Sequence, residues 1–400
     1  MRSGNILVLF LVLVFLSGCG GGGSTSLSEN GGTTPPSTAP NDVAITVNGS
    51  LCSSTVFGYP NKPCVSVTVC SPGTSNCQTI DDILLDTGSS GLRIFKQALN
   101  VPLVQAVAGS GYIAECVQFG DGTSDWGPIQ TADVILGKEP AVQIPIQVID
   151  STFGTLPNAC SNSDKSPADA GFNGILGVSF FAQDCGSACS NSAGVGMYYS
   201  CGGFGCLGTT VSLSSQLQNP VALLPLDNNG VIVKLPVIPA GGSPSISGAL
   251  LLGIGTRSNN SPSSVTTYPA DRFGDFVTNF NGTVYSSFID TGTNGLFFNP
   301  PSEDLLPDCA YPNSDWFCPE STVELSATSS GFTGSPSGVL PFRIGNFASL
   351  AKSSNNVFAN IGGKSPMDFE WGLPFFFGRD VYIGMEGKTS SLGTGLYWAY

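Results

Sequence analysis

The chain has no histidine, and only 10% of its 400 residues are charged, against roughly 25% in an average soluble protein. Without histidine, a Ser-His-Asp triad and any imidazole-ligated metal are excluded. Basic residues are the scarcer sign: 14 Lys and Arg stand against 28 Asp and Glu, a net charge of −14. Such a chain cannot neutralise a run of phosphates, so a nucleic-acid partner is excluded too. Long amphipathic helical patterns are nearly missing; Ser212 to Gln218 is one candidate for a helical turn or two. What is plentiful is glycine (52), proline (28) and hydrophobic residues (41%). The length and apolar content suit two or three domains, or one large bilobal unit with a substantial core.

Long apolar runs are equally scarce. The run Ile6 to Leu16, preceded by Arg2, is too short for a hydrocarbon core of about 30 Å, so it reads as a signal-peptide core over residues 1–18. It ends in Leu16-Ser17-Gly18-Cys19, which resembles the lipobox of bacterial lipoproteins and would make Cys19 the acylated first residue of the mature chain. An ordinary secretory signal with a coincidental cysteine is the alternative. Acyl chains, at about 0.8 kcal/mol per buried CH₂, would tether the protein to a membrane. Gly20 stands where an inner-membrane retention Asp is common, so the outer membrane of a two-membrane bacterium is expected. Residues 19–41, rich in Gly, Ser, Thr and Pro with Glu29 as the single charge, read as a flexible tether reaching ~25 Å.

Of the 13 cysteines, the twelve that remain when Cys19 is set aside are even in number. In an exported chain they read as six disulfides, with Cys309–Cys318 and Cys201–Cys206 as plausible local pairs. Thiolate ligation of a metal is the competing reading for Cys185 with Cys189, or Cys201 with Cys206. No metal or cofactor is called for.

The folded part reads as strands throughout. Val65-Ser66-Val67-Thr68-Val69 alternates at period two, as a half-buried strand does. Ile83-Leu84-Leu85, Ile146 to Ile149, Val231-Ile232-Val233 and Leu250-Leu251-Leu252 are short apolar runs between Gly, Pro, Asn and Ser clusters. The fold class is therefore all-β. One pattern occurs twice, about half the chain apart: Ile83-Leu84-Leu85-Asp86-Thr87-Gly88-Ser89 and Ser287-Phe288-Ile289-Asp290-Thr291-Gly292-Thr293. Each then reaches Gly-Leu, at Gly91-Leu92 and Gly295-Leu296. Two lobes are expected, 42–225 and 226–400, divided where Pro220 to Pro225 and Asp227-Asn228-Asn229-Gly230 break the pattern.

An Asp at a strand end, followed by a hydroxyl residue and Gly, sits in a tight turn with its carboxylate held by local donors. Glycine permits positive φ and close backbone approach. If two such turns face each other, the carboxylates cannot both ionise readily and share a proton. One can then deprotonate a water while the other donates to a substrate oxygen, a hydrolysis that needs no histidine.

With these motifs the sequence resembles the pepsin-like aspartic peptidases over most of residues 65–390. Gln118-Phe119-Gly120-Asp121-Gly122-Thr123 is similar to that family's flap hairpin. Phe172-Asn173-Gly174-Ile175-Leu176-Gly177 is similar to the stretch packed beneath its first catalytic loop. Ile246-Ser247-Gly248-Ala249-Leu250-Leu251-Leu252-Gly253 resembles the strand that opens its second lobe. The lipobox, Pro72-Gly73-Thr74-Ser75 and Trp371-Gly372-Leu373-Pro374-Phe375-Phe376-Phe377-Gly378-Arg379 resemble, more closely still, a family of bacterial lipoproteins with paired Asp-Thr-Gly motifs. That second resemblance supplies no activity.

The peptidase resemblance implies a bilobal pepsin-like fold of two β-barrel-like lobes with a cleft between them. It implies Asp86 and Asp290 as the water-activating dyad. Thr87 and Thr291 would knit the loops together, and Ser89 and Thr293 would hold the outer carboxylate oxygens. Gly88 and Gly292 would let the backbone approach the shared water, and Phe119, Gly120, Asp121 and Gly122 would form the flap. The substrate would be an extended peptide or protein, with apolar side chains beside the scissile bond, taken by a monomer.

Three departures matter. Phe119 stands where the family has Tyr, and Arg93 where it has a Trp that hydrogen-bonds that Tyr. Arg93 could stack on a ring and lower the dyad's pKa, or simply point to solvent or pair with an acid. Glu370-Trp371-Gly372 lacks the two apolar residues expected before its Gly. Residues 20–41 contain no Lys or Arg, so no basic pro-segment is visible. The expected function is thus a lipid-anchored extracytoplasmic aspartic endopeptidase. Its rival is a catalytically silent lipoprotein that binds a peptide, glycan or envelope partner in the same cleft. Two lesser features read as structural: Asp81-Asp82 as a solvated strand entrance, and Phe375-Phe376-Phe377 as core.

Overall fold

The computed structural model describes residues 39–49, 51–52 and 59–400. The signal peptide, Cys19 and most of the tether lie outside the described residues. The architecture is all-β, with one 17-stranded sheet, one of seven strands and one of two, and the strands form a six-stranded barrel and a half-barrel. Among the described residues the longest α-helix, Ser187–Asn191, has only five residues, and the Ser212 to Gln218 stretch contributes one 3₁₀ turn, Leu213–Ser215.

The apolar runs Ile83 to Leu85, Ile146 to Ile149, Val231 to Val233 and Leu250 to Leu252 all lie in strands, and the period of a strand decides its burial. In Lys62–Cys70 the side chains of Val65, Val67 and Val69 are buried while Ser66 is exposed between them. Runs without alternation, such as Ile83-Leu84-Leu85 in Cys77–Asp86 and Val231-Ile232-Val233 in Gly230–Leu235, are covered on both faces. The first and second halves of the chain meet edge to edge, because Asp42–Asn48 pairs antiparallel with Ile246–Leu252 from Asp42↔Leu251 to Val47↔Ile246. Phe375, Phe376 and Phe377 are buried in the main core, as expected of core residues.

The repeat in the sequence extends to strand order. Cys77–Asp86 runs parallel to Gly174–Val178, which runs antiparallel to Ser90–Phe95, which runs parallel to Val142–Ile149. In the second half Thr283–Ile289 runs parallel to Phe369–Trp371, which runs antiparallel to Leu296–Phe298, which runs parallel to Gly362–Lys364. The order and direction are the same in both quartets, and each Asp-Thr-Gly follows the first strand of its quartet.

Six disulfides join the twelve described cysteines, including the expected Cys309–Cys318 and Cys201–Cys206. Cys185 and Cys189 are also bonded to each other, which removes the thiolate-ligand reading of these residues. So many disulfides indicate an oxidising, extracytoplasmic compartment. Cys116–Cys160 is the longest-range link, with a separation of 44. It ties the hairpin of Gly111–Gln118 and Ser124–Ile135 to the loop beyond it. Loop-closure entropy for that separation is worth about 4 kcal/mol. The Cys116→Ser/Cys160→Ser double variant should therefore unfold at clearly lower urea, by about that free energy. A midpoint unchanged from the parent would refute a structural role for this link.

Candidate functional site

Asp86 is the last residue of strand Cys77–Asp86 and Asp290 follows strand Thr283–Ile289. Both strands end in buried apolar residues, Ile83 to Leu85 and Ile289, which carry the two carboxyls into the interior, where they are 7% and 9% exposed. The loops then grip one another. The Thr87 N–H donates to Thr291 Oγ1 at 3.1 Å, and the Thr291 N–H donates to Thr87 Oγ1 at 3.0 Å. The hydroxyls pass the exchange on: Thr291 Oγ1 donates to the Leu85 carbonyl at 2.7 Å and Thr87 Oγ1 to that of Ile289 at 3.4 Å.

This grip brings the carboxyls together. The Gly88 N–H donates to Oδ1 of Asp86 at 2.7 Å and to Oδ1 of Asp290 at 2.9 Å. The outer oxygens are held by hydroxyls, Ser89 Oγ to Asp86 Oδ2 at 2.5 Å and Thr293 Oγ1 to Asp290 Oδ2 at 2.9 Å. Further N–H donors come from Ser89 to Asp86 and from Gly292 and Thr293 to Asp290. Burial, followed by the adjacent Asp86 carboxylate, pushes the Asp290 carboxyl up to about 8. Asp290 therefore keeps a proton across the neutral range.

The glycines allow close approach between the loops rather than positive φ. Neither Gly88 nor Gly292 has the positive φ that only glycine adopts freely. A Cβ on Gly88 would lie 2.9 Å from Asp290 Cγ, and one on Gly292 would lie 3.3 Å from Asp86 Cγ. Each glycine clears room for the carboxyl of the opposite loop. Positive φ is needed instead at Gly91, at +98°.

The second strand of each quartet also corresponds. Gly177 lies opposite Asp86, and its Cβ would meet Ser89; the Gly372 Cβ would meet Thr293. Glu370-Trp371-Gly372 is thus the counterpart of Ile175-Leu176-Gly177, with Trp371 filling the core and donating from Nε1 to Thr278 Oγ1 at 3.0 Å.

The dyad opens into a cavity of about 1000 Å³, lined by both Asp-Thr-Gly loops and by Phe119, Gly120 and Asp121. Gly122 shapes that turn at φ +84° without lining the cavity. The tip is fixed from outside, where Asn162 Nδ2 donates to the Gly122 carbonyl at 2.8 Å.

Arg93 lies outside the cavity lining and does not point to solvent. It is 1% exposed, with Nη2 2.8 Å from Glu115 Oε1 and 3.4 Å from Asp184 Oδ2. Its charge is taken up by these two acids, so the expectation that it lowers the dyad's pKa fails. Glu115 lies on the flap strand Gly111–Gln118, and the ion pair links that strand to the strand following Asp86.

Sequence reading missed Tyr59. It lines the cavity, and its hydroxyl donates to the Gly292 carbonyl at 3.4 Å. Burial first, then the nearby Asp121, Asp290 and Asp86, hold the phenol well above its ordinary range, so it keeps its hydroxyl proton and serves as a hydrogen-bond donor. The adjacent Asn61 anchors the segment to the second half, donating from Nδ2 to the carbonyls of Asn294 and Phe358, both at 2.8 Å. The available signal was the Tyr59-Pro60-Asn61 turn just before a strand.

The chain belongs to the DUF3443 family, described as a protein of unknown function, whose model matches residues 37–400. No curated protein matches the chain.

The threonine exchange generates a stability prediction. Thr291→Val removes the donor to Leu85 and the acceptor for Thr87, leaving buried polar groups unmatched at about 1–3 kcal/mol each. Urea denaturation should show a loss within or above that range, and Thr291→Ser should recover most of it. Equal midpoints for Thr291→Val and the parent would refute the grip.

Proposed function

We propose that the protein is an aspartic endopeptidase of pepsin-like, bilobal type, exported and anchored to the cell envelope through lipid on Cys19. The single observation carrying this reading is the convergence of the two buried carboxyls on one N–H, with Asp290 protonated beside Asp86. A water held between them would give its proton to Asp86 as it attacks the scissile carbonyl carbon. Asp290 would pass its proton to the carbonyl oxygen, yielding a tetrahedral diol without a charged intermediate. On collapse, the proton gained by Asp86 would go to the leaving amine, and a diol hydroxyl would return its proton to Asp290 as the carboxylic acid product forms. Ser89 and Thr293 would keep the outer oxygens oriented, and the flap residues would cover an extended peptide. Tyr59 supports this reading because it brings a hydroxyl into the cavity that Phe119 does not offer.

The test is hydrolysis of a mixed peptide library by the oxidised full chain in detergent, from pH 3 to 10. Asp86→Asn and Asp290→Asn should each lower the rate by about 10²–10⁴-fold with folding unchanged. The pH dependence has a definite sign. Asp290 must hold its proton, so activity should fall as pH rises through about 8. Well-folded protein that cleaves nothing at any pH would overturn the peptidase reading.

A further inference from the structure

We infer that the cleft selects extended peptides whose apolar centre is flanked by positively charged side chains. This rests on the peptidase reading for what happens to the peptide, but charge selection is a property of the cleft walls and is measured separately.

Besides the dyad, the cavity is lined by two sets of acids. Asp121, Asp164 and Asp169 belong to the flap and the loop beside it, and Asp275, Asp368 and Glu370 to the second half of the chain. The sets are electrostatically distinct. Burial first, then Asp121 and Asp169, push the Asp164 carboxyl up. Burial first, then Asp368, does the same for Glu370, and Asp275 is raised by burial with Asp271 and Asp368 also contributing. Among the described residues none of these lining acids is ion-paired. Among the described residues Lys364 is the only basic lining residue, and its ammonium lies 3.0 Å from Glu303.

Partly desolvated, unpaired carboxylates that repel one another are relieved by an incoming cation and worsened by an incoming anion. The wall also carries apolar residues, Phe119, Phe172 and Ile175 from the first half and Phe288 and Phe297 from the second, among polar ones such as Gln118, Ser179 and Asn294. The acids are therefore part of the wall of an existing cleft of about 1000 Å³, and a ligand matching it carries an apolar middle between Lys or Arg residues.

The experiment compares three fluorescent peptides with one apolar centre flanked by Lys, Ser or Glu, using the oxidised full chain in detergent. Affinity is read by anisotropy and turnover by product analysis. The Lys peptide should bind on the order of tenfold more tightly than the Ser peptide, and the Glu peptide most weakly. The spread should shrink as NaCl is raised, since the screening length falls from about 10 Å at 0.1 M to 3 Å at 1 M. Asp164→Asn/Asp169→Asn and Asp368→Asn/Glu370→Gln should each reduce the spread between the Lys and Glu peptides. Equal binding of the three peptides by the parent chain, or binding of none, overturns the inference without any variant. Charge-ordered binding without turnover would sustain it while removing the peptidase reading, and turnover without charge order would do the reverse.

Discussion

Two threonines set the conditions for everything else at the centre of this molecule. Each places its hydroxyl where the other's N–H needs an acceptor, and each passes a hydrogen bond on to a carbonyl at the end of the opposite strand. Four buried groups are satisfied only if both loops are present and in register. An exchange of this kind fixes separation and orientation at once, because a small shift of either loop lengthens both N–H contacts. The carboxyls inherit that precision. Their donors are amides and hydroxyls of the same two loops, so the dyad's geometry depends on backbone rather than on long, mobile side chains.

The matching strand quartets explain how such different sequences present the same loop. What must be kept is the Asp at the strand end, the hydroxyls, and the glycine near the end of each quartet's second strand that lets the neighbouring loop pass. Gly177 and Gly372 meet that need, one against Ser89 and the other against Thr293. The residues before them need only fill their own core. Leu176 does so in the first half and Trp371 in the second, where the indole also satisfies Thr278.

The all-β class, individual strands, the paired motif and the even cysteine count were legible in the sequence because each is a local signal: period-two alternation, Asp-Thr-Gly after an apolar run, and parity. What escaped depends on long-range placement. The true role of Gly88 and Gly292 appears only when the opposite carboxyl occupies the space a Cβ would take. Tyr59 reaches the cavity because Asn61 is pinned by carbonyls far along the chain, and nothing local announces that. For Arg93 the sequence left several fates open, and tertiary pairing with Glu115 and Asp184 decided among them.

That pairing bears on the dyad's charge. A buried guanidinium without anions would carry a large desolvation cost and project its charge into the low-dielectric core. Held between two carboxylates, it becomes a link between the flap strand and the strand after Asp86. The environment of Asp290 is then governed by burial and by Asp86, both of which favour retention of a proton. A chain with 14 basic residues in 400 and no histidine has few cations that could disturb this balance. Six of its acids besides the dyad, by contrast, line the cleft without an ion pair among the described residues, so the sign of the field at the cleft wall follows from composition as much as from fold.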